Sequence, residues 1–222
     1  MHQPRREILG AAAALLAAST LATAQSRGGA REAPPLAGSP QERRVLEALE
    51  DVYRNHRYLS VPEEDGRLLR ILAESIGARH VVEIGTSTGY SGLWLLLGIA
   101  RSGGRLTTYE IDRARHDIAR RSFERAGLGA QVAQVLGDAH EELKKLSEPI
   151  DLLFLDADKE GYLDYLTRLR RLVRAGGLIV AHNMASPPPD PAYVRAVTAD
   201  PALETVFLNM HGAGVGVTLK KR

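Results

Sequence analysis

Hydrophobic positions along the chain follow two alternating rhythms. Ser39-Pro40-Gln41-Glu42 forms a capping box with proline at the first helical position, and Val45, Leu46, Leu49 and Val52 follow at helical spacing. This predicts an amphipathic helix running to about Arg57. Ser60-Val61-Pro62-Glu63 repeats the start signal, and Leu68, Leu69, Ile71, Leu72 and Ile76 supply the apolar face of a second helix that Gly77 stops. The rhythm then changes to short, nearly continuous apolar runs: His80 to Ile84, Leu106 to Glu110, Val132 to Leu136, Ile150 to Leu155 and Leu178 to Ala181. Such runs read as strands buried on both faces of a parallel sheet. Helical stretches separate them: Tyr90 to Arg101, Arg113 to Ala126, Glu141 to Leu146, and Gly161 to Arg174, the last ended by Gly176-Gly177. A short helix after Pro191 leads to two further strand-like runs, Leu203 to Asn209 and Gly216 to Lys220, joined by a His211-Gly212-Ala213-Gly214 turn. The pattern predicts a right-handed open α/β sheet with helices on both faces, closed by a C-terminal antiparallel hairpin.

Residues ahead of Ser39 follow neither rhythm. Arg5-Arg6 precedes an uncharged, Ala- and Leu-rich run from Ile8 to Ala24, and Ala22-Thr23-Ala24 offers a small-x-small cleavage site. This reads as a signal peptide over residues 1–24, with the arginine pair resembling a twin-arginine signal in which Pro4 takes the usual Ser or Thr position. Export to the periplasm or beyond the cytoplasm is the expectation, without a stable membrane span after cleavage; the protein stays cytoplasmic if the signal is not used. Residues 25–38, rich in Gly, Pro and Ala, read as a flexible linker, and residues 39–222 as the folded domain.

Composition narrows the chemistry. A net charge of +2 in 222 residues gives no footprint for nucleic acid, and zero Cys removes disulfides, thiolate zinc sites and cysteine nucleophiles. The 29 basic residues include five lysines (Lys144, Lys145, Lys159, Lys220, Lys221), the rest being arginine. A lysine in so arginine-rich a chain attracts notice, because only lysine can lose its proton at accessible pH.

Ligands of open parallel sheets bind beyond the carboxyl ends of the strands, and these ends are polar here. The first strand leads into Glu83-Ile84-Gly85-Thr86-Ser87-Thr88-Gly89-Tyr90-Ser91, where glycines and hydroxyls sit before a helix N-terminus. That loop suits a closely approaching anionic group, or is only a tight turn; it matches neither G-x-G-x-x-G nor a P-loop. Without G-x-G-x-x-G a nicotinamide-dependent oxidoreductase is disfavoured. The second strand ends in Tyr109-Glu110-Ile111-Asp112, so Glu110 is placed to accept a ribose diol while Asp112 serves equally well as a helix cap. The fourth ends in Asp156-Ala157-Asp158-Lys159 and the fifth in His182-Asn183. If these strands are neighbours, Asp156, His182 and Asn183 converge as ligands of one divalent cation, or as a polar cluster of caps and hydrogen bonds. Lys159 is a candidate base there, or a surface lysine at a helix start.

These segments, with Gly137-Asp138-Ala139, Tyr162 and Gly176-Gly177-Leu178-Ile179-Val180-Ala181 in order, resemble the cation-dependent O-methyltransferases of the catechol and caffeoyl-CoA type, over about residues 40–222. The resemblance implies a single-domain, seven-stranded, Rossmann-like methyltransferase sheet with S-adenosylmethionine as cofactor and a small catechol-like or vicinal-diol acceptor. It implies that Glu83, Gly85, Tyr90 and Ser91 hold the methionine part of the cofactor under Val61. Glu110 would take the ribose, and Asp138 and Ala139 would flank the adenine. Asp156 would touch both cofactor and metal, and Lys159 would take the acceptor's proton. The family has Asp-Asn where this chain has His182-Asn183; loss of a carboxylate favours Mn²⁺, Fe²⁺ or Zn²⁺ over Mg²⁺, or removes the site. The Pro-rich stretch after Asn183 is shorter than the family's usual substrate cover. The family often forms homodimers. An exported, non-catalytic protein that keeps the fold as a binding module is the rival expectation.

Overall fold

A computed structural model describes residues 33–209 and 212–222. The signal-like segment over residues 1–24 and most of the linker over 25–38 lie outside the described residues, as does His211 of the expected turn. The unit from Ala37 to Arg222 carries the sheet. Its strands are β1 (His80–Ile84), β2 (Arg105–Glu110), β3 (Val132–Leu136), β4 (Ile150–Leu155), β5 (Val173–His182), β6 (Leu203–Leu208) and β7 (Val215–Lys220). They lie in the order β3-β2-β1-β4-β5-β7-β6. The first five are mutually parallel; β7 pairs antiparallel with both β5 and β6. Chain order reverses between β1 and β4, which places a crevice at their carboxyl ends.

Helices cover both faces, and alternate strand residues divide between them. Val81, Leu106, Leu152 and Val180 face one core with α1 (Pro40–Asn55), α2 (Glu63–Ser75), α3 (Tyr90–Ile99) and α4 (Arg113–Arg125). Val82, Leu153, Leu155 and Ile179 face the other with α6 (Tyr162–Leu169) and α7 (Pro191–Thr198). A single helical turn, α5 (Ala139–Glu142), follows β3. Helix α1 starts as its sequence predicts: the Ser39 hydroxyl accepts from the Glu42 N–H, and Val45, Ala48, Leu49 and Val52 are buried.

Four expectations are corrected. Helix α2 is capped by Pro62 without a side-chain bond, and the Ser60 hydroxyl is instead buried with no partner. On the same helix Ile71 is exposed while Asp65 is buried, so the apolar face is rotated from the one expected. The helix expected to reach Arg174 ends at Leu169, and strand β5 begins at Val173. Its pairing with β4 jumps from Val173 opposite Ile150 to Leu178 opposite Leu152, so Gly176, at φ +74°, marks a bulge within the strand rather than a helix stop. Finally, β3 is only half-buried, because it forms one edge of the sheet.

Candidate active site

A cavity of about 850 Å³ opens at the carboxyl ends of β1, β2, β4 and β5. Its floor depends on Gly85, which follows β1 at φ +101°; a Cβ there would lie 2.4 Å from the Asp156 carbonyl oxygen. Only glycine lets the β1 loop touch the end of β4, so the two sides of the cavity meet at this residue.

On the β1–β3 side the polar groups are fixed by neighbouring amides. The buried Glu110 carboxylate accepts the Ser87 N–H at 2.8 Å on Oε2, and on Oε1 the Asp112 N–H at 2.9 Å and Arg115 Nη2 at 2.8 Å. Asp112 itself caps α4 by accepting the Arg115 N–H, as its place in the sequence predicts. Asp138 caps α5 through the His140 N–H. Ser87 takes a left-handed backbone, φ +48°, and its hydroxyl donates to the Tyr58 carbonyl at 2.6 Å, pinning the segment before Val61 over the cavity.

On the β4–β5 side charged side chains meet. Lys159 Nζ donates to Asp156 Oδ1 at 3.0 Å and to the Tyr162 hydroxyl at 2.9 Å; that hydroxyl donates in turn to the Leu155 carbonyl. Burial holds the Tyr162 hydroxyl well above its ordinary range, so it stays a neutral donor. His182 Nδ1 lies 3.1 Å from Asn183 Oδ1 and 3.3 Å from Asp156 Oδ1, and its Nε2 lies 3.0 Å from Asp65 Oδ2. Burial opposes the charge of His182, but its contacts with Asp156 and Asp65 outweigh this and push its pKa up to about 9.

Every position expected to hold the cofactor lines this cavity except Glu83; Lys159, His182 and Asn183 line it as well. Glu83 lies in the wall beneath, fully buried, accepting the Ser91 hydroxyl on one oxygen and the Thr108 hydroxyl on the other, both at 2.6 Å. Burial pushes this carboxyl up to about 7 against those two hydrogen bonds. Its direct contacts are therefore protein hydroxyls, one of which, Ser91, faces the cavity.

The donor set at Asp156, His182 and Asn183 fits a divalent cation. Two donors each about 2.1 Å from one ion at a right angle lie about 3 Å apart, close to the 3.1 and 3.3 Å that separate His182 Nδ1 from Asn183 Oδ1 and Asp156 Oδ1. The Asn183 amide is oriented for this, since its Nδ2 donates to the Ser186 carbonyl and leaves Oδ1 toward His182. Among the described residues no group of three His, Cys, Asp or Glu side chains gathers at ligand spacing; this set has two such groups and an amide.

Sequence reasoning gave no role to Asp65, Ser87, Arg115 or Tyr162. Asp65 left a signal, an acid four and eight residues before Leu69 and Ala73 on the buried face of α2. Ser87 and Arg115 act through a backbone N–H and a guanidinium five residues from Glu110, neither of which a residue pattern marks.

A family model described as O-methyltransferase matches residues 37–186. A catechol O-methyltransferase of Niastella koreensis is 38% identical over 130 residues, 57% of this chain and 58% of that protein. A putative O-methyltransferase of Mycolicibacterium smegmatis is 43% identical over 122 residues, 54% of this chain and 58% of that protein. The chain thus spans a little over half the length of these curated relatives. Among solved structures, an O-methyltransferase of Bacillus cereus in complex with SAH superposes with a TM-score of 0.71 at 30% identity, covering 81% of this chain and 91% of that one. An O-methyltransferase of tomaymycin synthesis from Streptomyces achromogenes, in complex with SAM, gives 0.69 at 25% identity over 84% and 92%.

Proposed function

Because the chain belongs to the O-methyltransferase family, we propose that it transfers the methyl group of S-adenosylmethionine to a hydroxyl of a small catechol-like or other vicinal-diol acceptor, with a divalent cation assisting. The observation that carries this reading is the meeting, in one cavity, of the expected cofactor positions with Lys159, Asp156, His182 and Asn183. Glu110 takes the ribose hydroxyls, Gly85, Tyr90 and Ser91 face the methionine part, and Asp138 with Ala139 borders the adenine. Val61 lies over the cofactor. Glu83 acts from below by holding Ser91 in place.

Asp156 Oδ1, His182 Nδ1 and Asn183 Oδ1 would hold the cation, which when bound lowers the pKa of a hydroxyl it touches. With one imidazole among the ligands, Mn²⁺, Fe²⁺ or Zn²⁺ is favoured over Mg²⁺. The methyl group would pass from sulfur to the acceptor oxygen, the carbon–sulfur electron pair staying on sulfur, while Lys159 Nζ would take the hydroxyl proton. Tyr162 keeps that amine at the reacting oxygen by accepting its N–H. The fixed geometry of base, acceptor and methyl group supplies the orientation that displacement needs. A binding module that kept the fold without catalysis is the less favoured reading, since Lys159 stands with its Asp156 and Tyr162 contacts in the cavity.

Calorimetric titration of the full chain with S-adenosylmethionine, with and without Mn²⁺, tests the cofactor; formation of S-adenosylhomocysteine with catechol tests the reaction. A dissociation constant in the micromolar range, about −8 kcal/mol, is expected. No binding up to about 1 mM would overturn the reading.

A further inference from the structure

We propose that Asp65 is a positioning residue of this site: by accepting the Nε2–H of His182 it fixes the ring so that Nδ1 is the nitrogen offered to Asp156, Asn183 and the cavity. The inference rests on the reading of His182 as a ligand. It adds a residue from a different part of the fold, 117 positions earlier in the chain.

Asp65 is a carboxylate where a helix of this kind places an apolar side chain. It shares the buried face of α2 with Leu69 and Ala73 and is 3% exposed. One oxygen, Oδ1, is sealed from solvent and has no hydrogen-bond partner. Burying a carboxylate with half its acceptor capacity unmet is costly, and the contact between Oδ2 and His182 Nε2 at 3.0 Å offsets that cost. Stability alone would be served better by an aliphatic residue, so the contact is better explained by what it does to His182.

A neutral imidazole has one proton to place, and here both of its nitrogens face acceptors. Nδ1 faces Asn183 Oδ1 and Asp156 Oδ1, but the latter is already engaged by Lys159 Nζ at 3.0 Å, which weakens its pull on a second proton. Nε2 faces the carboxylate of Asp65 in a buried setting, where the charge is least screened. The neutral ring therefore keeps its proton on Nε2, and the Nδ1 lone pair joins Asp156 Oδ1 and Asn183 Oδ1. A carboxylate behind a ligating imidazole fixes the tautomer, orients the ring and raises its basicity. Without Asp65 the proton would move to Nδ1, toward the two acceptors that remain, and the ring would offer the cavity a donor in place of a lone pair.

The test uses the full chain and its Asp65→Asn variant, nearly identical in shape, with Asp65→Ala as the second variant. Nitrogen-15 NMR of the histidine rings without metal, at a pH above the ring's pKa of about 9, reads the tautomer of neutral His182. The expected result is protonation at Nε2 in the wild type and its loss, or a shift to Nδ1, in both variants. Calorimetric titration with Mn²⁺ is expected to show roughly 10- to 100-fold weaker binding in the variants, with metal-free S-adenosylmethionine affinity unchanged. A wild-type ring protonated at Nδ1, or a tautomer unchanged by both substitutions, overturns the proposal. Absence of Mn²⁺ binding to the wild type would instead remove the metal reading, while the NMR result still decides the role of Asp65.

Discussion

The two sides of the cavity are held together in different ways. Where β1, β2 and β3 end, polar groups are fixed largely by backbone: Glu110 by the N–H groups of Ser87 and Asp112, and Asp138 by the cap it makes on its own helix. Where β4 and β5 end, the contacts are between charged side chains, and one of them, Asp65 to His182, joins segments 117 residues apart. A backbone amide survives substitution of its side chain, whereas a side chain in a charge network has no substitute. Single mutations should therefore be graded on the first side and abrupt on the second.

The largest expected effect lies on the charged side. Lys159→Ala removes the proposed proton acceptor and should lower kcat by roughly 10²- to 10⁴-fold while leaving S-adenosylmethionine affinity unchanged. Steady-state kinetics with calorimetry checks this; an unaltered kcat would take Lys159 out of the chemistry.

Next comes Glu83, a buried charge beneath the backbone-built side. Its folded pKa, about 7, lies above the 4.5 of the exposed group. The raised value means that the folded state binds the proton more tightly, so its stabilising effect is complete below 4.5 and is lost as pH rises through 7. The full difference amounts to about 3 kcal/mol. Denaturant unfolding at pH 5 and pH 8 should show wild-type stability falling by more than that of Glu83→Gln; the difference between the two proteins isolates this group, and equal slopes would mean that Glu83 does not titrate there.

Glu110→Gln follows. The amide keeps the shape but loses the charge-assisted bonds to Arg115 and those proposed to the ribose hydroxyls, so S-adenosylmethionine should bind about 10- to 100-fold more weakly, roughly 1.5–3 kcal/mol. A loss confined to kcat would move Glu110 out of cofactor binding.

The same division governs how much the sequence discloses. β1, β3 and β4 fall on their expected bounds, and Glu110 is found by its place after a buried strand and a glycine-rich loop, because local signals build that side. The strand-end residues Asp156, Lys159, His182 and Asn183 were legible as candidates for the same reason. Asp65 was not, since reading a helix face by residue type counts Ile71 as core and an aspartate as surface, and the structure reverses both. The start of β5 was hidden because Gly176-Gly177 signals a helix stop as strongly as it permits a strand bulge. That Glu83 lies in the wall below the cavity, bonded to the Ser91 hydroxyl, is visible only in the packing.

The smallest expected effect is the sharpest check on the contrast between the two sides. Arg115 makes two bonds to Glu110 Oε1 and covers the Tyr58 ring at 5.1 Å, so a contact count would rank it with Lys159. Yet its guanidinium is partly open to water, which screens the pair, and without it Glu110 still accepts the N–H groups of Asp112 and Ser87. Arg115→Met, which keeps the apolar stem against Tyr58, should therefore change the S-adenosylmethionine dissociation constant by less than about fivefold, under about 1 kcal/mol. A loss of a hundredfold would mean that the guanidinium, and not the backbone, holds Glu110 in place, and the β1–β3 side would then be as dependent on paired charges as the side that carries Asp65 and His182.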